Sequence, residues 1–177
     1  MPSPILISAC LLGKPVRYDG RAKFCDDAGL KYLIEQGCIF PFCPEVSGGL
    51  PTPRAAAEIQ FGDGFNVLDG SAQVVTGTDE DVTEQFLIGA KQALQICQQN
   101  QIRIAILTES SPSCGSSQIY NGRFERNRIS GVGVTTALLR NHNIRVFSQF
   151  EISQAIHCFN LNDNNLGRSS SENSADS

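Results

Sequence analysis

Four short apolar runs punctuate the chain: Pro4 to Ala9, Cys38 to Phe42, Ile102 to Leu107 and Ile144 to Phe147. None alternates polar with apolar residues, the pattern of parallel strands covered on both faces. The stretches between them carry helical spacing. One helix is expected to start near Asp26 or Asp27, whose carboxylates suit a helix N-terminus, to present Leu30, Leu33 and Ile34 as its apolar face and to stop at Gly37. Thr78-Asp79-Glu80-Asp81 has the spacing of a capping box, with Asp in place of the usual Glu or Gln. It is expected to open the best helix of the chain, with Val82, Phe86, Gly89, Ala90, Ala93, Leu94 and Cys97 on one broad face. Gly131 to Leu139 opens another helix, and about Glu151 to Phe159 forms the last. Strands alternating with helices predict a single three-layer, Rossmann-like α/β domain with a mostly parallel sheet over residues 1–160. From Leu161 on, Asn, Asp, Ser and Gly dominate, which predicts a disordered tail over residues 161–177. Three segments read as irregular: Pro44 to Arg54, Gly62 to Gly70 as turns or a small hairpin, and Gly115 to Gly122.

A chain of 177 residues can bury a core without disulfide or metal staples, so stability does not explain its cysteines. Net charge of -4 and a pI near 5.1 exclude the basic stripe of a general nucleic-acid binder. No run of about 18 apolar residues is present, and Met1-Pro2-Ser3 leads straight into the first strand without an export signal, so no membrane association and a cytoplasmic location are expected. Monomer and dimer both remain open. Seven cysteines in a reducing compartment point to metal or catalytic use for some of them.

Three of the seven stand at strand ends: Cys10 after the first run, Cys43 after the second and Cys114 after the third. There is no Cys-x-x-Cys, so no local metal motif joins them. Three thiolates converging on one sheet edge suit an iron–sulfur cluster with one iron left open, and zinc could take a partial site on the same sulfurs. Cys25, Cys38, Cys97 and Cys158 read as packing residues. Glu45, two residues past Cys43 in a Pro-rich turn, is either a solvated loop acid or a partly desolvated carboxylate with a raised pKa that relays protons. Ser111 and Ser113 flank Pro112 and either cap a turn or bind substrate, while Glu109 is expected to face away. Arg123, Arg126 and Arg128 read as a solvated loop, with a lid over a polar ligand as the alternative. Gly131-x-Gly133 lacks the third glycine of a dinucleotide site, and His142 and His157 read as surface and helix residues.

Three long motifs, in this order, resemble the thiouracil desulfidase family. They are Ser8-Ala9-Cys10-Leu11-Leu12-Gly13 with Arg17-Tyr18-Asp19-Gly20, Cys43 to Arg54, and Ser111-Pro112-Ser113-Cys114-Gly115, within a likeness that runs from about Ile5 to Phe150. The resemblance implies a [4Fe-4S] cluster on Cys10, Cys43 and Cys114, whose fourth iron binds the sulfur of a thiolated pyrimidine. It also implies Glu45 and Ser111 as catalytic residues, with Ser8, Gly48, Gly49, Arg54 and Ser113 as substrate-binding positions. Thr108-Glu109-Ser110 departs from the family, where a basic residue is common. The activity implied is non-redox, hydrolytic desulfuration of a small thiolated nucleobase, thiouracil to uracil. The alternatives are a cluster-dependent dehydratase or lyase, and a non-enzymatic cluster-bearing redox or sensor protein.

Overall fold

The first apolar run forms β1 (Ile5–Ser8), a strand with every residue buried. In the computed structural model, which describes residues 3–169 and side chains to residue 161, β1 is the second strand of a four-stranded sheet. Its neighbours are β2 (Ile39–Phe42) on one side and β5 (Ile104–Leu107) on the other, with β8 (Arg145–Ser148) beyond β5, all parallel. The register sets Ile5 beside Ile39, Leu6 beside Ala105 and Ile104 beside Arg145. Pro41 sits in β2, an edge strand, where a missing N–H costs no ladder bond to a further strand.

Side-chain alternation along these strands divides the core in two. Ile5, Ile7, Ile104 and Ile106 pack against Leu30 and Leu33 of α1 (Ala28–Glu35) and against Ile152 and Ala155 of α6 (Ile152–Ser169). Leu6, Ala105 and Leu107 face the opposite way, onto Ala93 and Cys97 of α4 (Thr83–Gln99) and Leu139 of α5 (Val134–Asn141). This is the three-layer α/β arrangement expected from the unbroken apolar runs. Asp27 caps α1 as anticipated, its carboxylate accepting from the N–H groups of Gly29 and Leu30 at 2.7 and 3.1 Å.

Several local expectations are corrected. The Thr78 capping box does not form: Asp81 instead pairs with Val75 in an isolated bridge and accepts from Thr83 N–H at 2.9 Å, so the N-cap of α4 is Val82, four residues later. The capping box of the chain lies at α3 (Gly64–Asp69), between Asp63 and Asn66, inside the segment expected to be turns or a hairpin. Asn at the third helical position stands in for Glu or Gln there. A second, antiparallel pair, β3 (Ala57–Gln60) with β4 (Gln73–Thr76), and a hairpin, β6 (Gln118–Tyr120) with β7 (Arg128–Ser130), escape the apolar pattern because their strands are short and half polar. The Pro44–Arg54 segment begins with one helical turn, α2 (Pro44–Ser47). Helix α6 continues past Phe159 to Ser169, into the segment expected to be a tail, because propagation adds one hydrogen bond per residue once Ile152, Ala155, Cys158 and Phe159 have anchored the first turns. Residues 170–177 of that segment lie outside the described residues.

Candidate active site

The order β2-β1-β5-β8 reverses direction at β1: the chain leaves β1 for β2 on one side and later returns to β5 on the other. Ligands bind outside the carboxyl ends of strands at such a switch point. Three chain exits meet there. After β1 the chain turns through a 3-10 segment, Ala9–Leu12, that closes on Gly13 at φ 87° and buries Cys10. After β2, Cys43 is the N-cap residue of α2, with Pro44 at the first helical position. After β5, Ser110 takes a left-handed φ of 66° and the Ser111-Pro112-Ser113 turn delivers Cys114, 5 % exposed. The Oγ of Ser111 accepts from the N–H groups of Ser113 and Cys114 at 3.1 and 3.2 Å, which fixes that turn. All three sulfurs line one cavity of about 510 Å3, together with Glu45, Ser111 and Thr108.

Each thiol has a defined polar neighbour. Thr108 Oγ1 lies 2.9 Å from Cys10 Sγ, and Ser8 Oγ donates to Cys114 Sγ at 3.7 Å. Cys43 Sγ lies 3.9 Å from the Val16 carbonyl. Burial pushes the Cys114 thiol far up, and the nearby charges of Cys43, Glu45 and Cys10 add to the effect. Burial also raises Cys43, against the backbone N–H groups of Val46 and Glu45 that favour its thiolate. Thiolates placed here call for a compensating cation. Among the described residues, no three His, Cys, Asp or Glu side chains converge closely enough to hold a single metal ion. A polynuclear cluster takes each thiolate on a different iron and fits sulfurs spread around a cavity.

Glu45 enters the same cavity from α2. Its Oε2 is gripped by Arg54, with Nε at 2.8 Å and Nη2 at 2.7 Å, in a pair whose side chains are 7 % and 16 % exposed. Its Oε1 accepts from Ser111 Oγ at 3.4 Å. The carboxylate is therefore partly buried, ion-paired and oriented, and not a solvated loop acid. Arg54 is expected as a substrate-binding residue, but its guanidinium is already engaged: Nε with Glu45, Nη1 with Pro51 O and Thr52 Oγ1, and Nη2 with Val16 O and, as an ion pair, with Glu45.

Comparison with known proteins decides what carries this arrangement. The profile of the 2-thiouracil desulfurase family matches residues 5–151. The chain belongs to the 2-thiouracil desulfurase family. It is 41% identical over 152 residues to the uncharacterized protein YbbK of Bacillus subtilis (strain 168), spanning 86% of this chain and 99% of YbbK. It is similar to the solved structure of a [4Fe-4S]-dependent thiouracil desulfidase, TudS, with a TM-score of 0.82 and 48% identity, covering 90% of this chain and 99% of TudS.

In this desulfurase-family chain the cavity gathers Ser8, Cys10, Cys43, Glu45, Arg54, Ser111 and Cys114, and leaves out Gly48, Gly49 and Ser113. Gly48 is a packing residue: a side chain there would meet the Gln85 carbonyl of α4, as one at Gly89 would meet the Pro44 carbonyl of α2. Gly49 turns the chain at φ 97°. Ser113 is fully buried and pairs with Thr135 Oγ1 at 3.0 Å. Ser8 lines the cavity with its hydroxyl already shared between Thr108 N–H and Cys114 Sγ.

Glu109 is the largest correction at this site. Its carboxylate does not face away but accepts from the N–H groups of Ser110, Ser116, Ser117 and Gln118 and from the hydroxyls of Ser116 and Ser117, at 2.8 to 3.1 Å. Desolvation opposes ionisation, yet these donors outweigh it and hold the carboxyl down at about 2. The sequence left unassigned most of a cavity wall, Lys23, Glu58, Tyr120 and Phe124, beside Arg126, for which a lid over a polar ligand is the alternative reading. Burial, with Arg17 nearby, lowers the pKa of Lys23. Glu58 is buried and accepts from Phe124 N–H at 3.1 Å, drawing the β6–β7 tip over the site, so Arg126 belongs to a cavity wall and not to a purely solvated loop. Lys23 follows the Arg17-Tyr18-Asp19-Gly20 turn closely, the one signal that could have marked it. No helix among the described residues is long and apolar enough to cross a membrane.

Proposed function

We propose that this chain hydrolyses the carbon–sulfur bond of a thiolated nucleobase, thiouracil to uracil, on a [4Fe-4S] cluster held by Cys10, Cys43 and Cys114. The observation that carries the reading is the convergence of those three thiols and Glu45 on one cavity. The bound cluster supplies an iron without a protein ligand, a Lewis acid for the departing sulfur. Water replaces sulfur, so uracil and hydrogen sulfide form and no electrons are exchanged. The [4Fe-4S]-dependent thiouracil desulfidase TudS, 48% identical, supports both cofactor and substrate class. A reducing cytoplasm keeps the three thiols free for the cluster.

The chain's own contribution is proton management and orientation. Arg54 occupies Oε2 of Glu45 and leaves Oε1 to take a proton from the attacking water. Ser111 donates to that same oxygen and anchors the turn that carries Cys114, so it sets the distance between base and thiol. Of the other carboxylates that line the cavity, Glu58 accepts from the Phe124 N–H and Glu109 from six donors of its own loop, whereas Glu45 is the one joined to Ser111.

The test is anaerobic reconstitution of the full chain, iron and sulfide analysis, and turnover of 2-thiouracil without any reductant. Cys10→Ser, Cys43→Ser and Cys114→Ser are each expected to lose the cluster, whereas Cys97→Ser retains it. Glu45→Gln is expected to load fully and to turn over at least about 100-fold more slowly. Full iron content in Cys114→Ser refutes the cofactor assignment. A strict requirement for reductant favours an electron-transfer role, and near-normal Glu45→Gln turnover removes Glu45 as the base.

A further inference from the structure

We propose that Ser8 and Thr108 are positioning residues that donate crosswise to the ligand sulfurs and set how strongly those thiolates donate to iron; the inference rests on the cluster reading above. Ser8 ends β1, the strand whose exit carries Cys10, yet its hydroxyl reaches Cys114 beyond β5. Thr108 follows β5, whose exit carries Cys114, yet its hydroxyl reaches Cys10 beyond β1. Both residues are buried, at 3 % and 8 % exposure.

The directions of these bonds follow from counting protons. Thr108 N–H donates to Ser8 Oγ at 2.9 Å, which occupies a lone pair of the serine and leaves its single proton for Cys114 Sγ. A thiolate at Cys10 has no proton to give, so the Thr108 proton must point at the sulfur. Neither hydroxyl has an oxygen acceptor among the described residues. If the pair merely tied two strands together, the Thr108 N–H bond alone would suffice, and no reason would remain for both protons to end on sulfur. Cys43 is treated differently. It is the N-cap residue of α2, and its sulfur lies 3.9 Å from the Val16 carbonyl, with no side-chain hydroxyl among the described residues beside it.

Hydrogen bonds to thiolate sulfur withdraw electron density, stabilise the more reduced and more negative state and so raise the reduction potential of a cluster. Deleting them shifts the potential downward. Ser8→Ala also strands the buried Thr108 amide, so Thr108→Val is the cleaner variant and Thr108→Ser its rescue.

The experiment uses the full chain, reconstituted anaerobically, as wild type, Thr108→Val, Thr108→Ser and Ser8→Ala. Iron content, thermal midpoint and midpoint reduction potential are measured for each. The expected result is a loaded Thr108→Val protein with a potential shifted negative of wild type, a return toward wild type in Thr108→Ser, and a second negative shift in Ser8→Ala. Loading of Thr108→Ser but not Thr108→Val also supports the assignment. Equal potentials in all four loaded proteins overturn it, as does failure of both Thr108 variants to load, which marks a merely structural residue. A wild-type chain that binds no iron overturns the cluster reading itself, and that result is visible before any variant is compared.

Discussion

Replacing Glu109 by Gln tests whether the loop that delivers Cys114 is held by a charge. In the folded chain Glu109 Oε1 accepts four backbone N–H groups and Oε2 two hydroxyls. An amide keeps the four N–H bonds on its carbonyl oxygen, and the hydroxyls of Ser116 and Ser117 can rotate to accept from its NH2, so the main loss is the charge. The carboxyl is held at about 2 against an ordinary 4.5, a displacement worth about 3 kcal/mol if no water reached the group. The site adjoins an open cavity, and solvent screening reduces that to roughly 1–2 kcal/mol. The folded value is the depressed one, so this stability is fully present above pH 4.5 and is lost as pH falls toward 2. Urea unfolding of wild type and Glu109→Gln at pH 7, and again at steps down to pH 3, reads both quantities. The variant is expected to be less stable by that amount at pH 7 and to lose less on acidification, so the two curves converge. Equal stability at pH 7 with parallel acid curves would show that the six donors do not depend on the charge.

Two other substitutions follow from contacts that the motifs alone do not display. Arg54→Lys keeps a positive charge but can fill at most three of five donor positions, so Glu45 is expected to lose its orientation; turnover of the cluster-loaded protein should fall at least about 10-fold, with a lower thermal midpoint. Gly48→Ala drives a methyl into the Gln85 carbonyl and should destabilise the fold by roughly 1–3 kcal/mol in urea unfolding, whereas Gly49→Ala, in open space at φ 97°, costs about 1 kcal/mol of backbone strain.

The parallel sheet was legible because its central strands are buried on both faces, which turns them into unbroken apolar runs such as Ile104-Ala105-Ile106-Leu107. The thiols of Cys10 and Cys43 were legible for a related reason, since a residue just past such a run sits at the strand's exit, and Cys114 follows its run through a Ser-Pro turn. Contacts between distant segments were not. Arg54 stands in a motif shared with a binding site, and only the fold shows its donors consumed by Val16, 38 residues back, and by Glu45. Glu109 follows an apolar run like any exposed turn acid, and only the return of Ser116 to Gln118 encloses it. Gly48 and Gly89 explain each other, since each admits the backbone of the other's helix, and no spacing rule pairs them. Helix α3 was missed because Gly62, Gly64 and Gly70 read as punctuation and concealed the Asp63–Asn66 capping box.

The division of labour in the molecule follows from which backbone carries each group. The sulfurs leave β1, β2 and β5, strands of one parallel sheet whose exits are fixed by a 3-10 turn, a helix N-cap and a serine-anchored turn. Their spacing is therefore set by main-chain geometry, which two buried core layers make hard to deform. The opposing wall comes from elsewhere: Glu58 from β3, and Tyr120, Phe124 and Arg126 from the β6–β7 hairpin, both in small sheets of their own. A carboxylate beside three thiols would be unfavourable in so enclosed a place without a countercharge, and Arg54 supplies it. Its remaining donors tie that ion pair to Val16 and to Pro51 and Thr52, so one guanidinium fixes the Glu45 carboxylate and links it to the chain beyond Cys10. The cavity-facing side chains of that hairpin, Tyr120, Phe124 and Arg126, hang from a backbone that carries none of the three sulfurs, whereas Ile119 of the same hairpin is fully buried in the core.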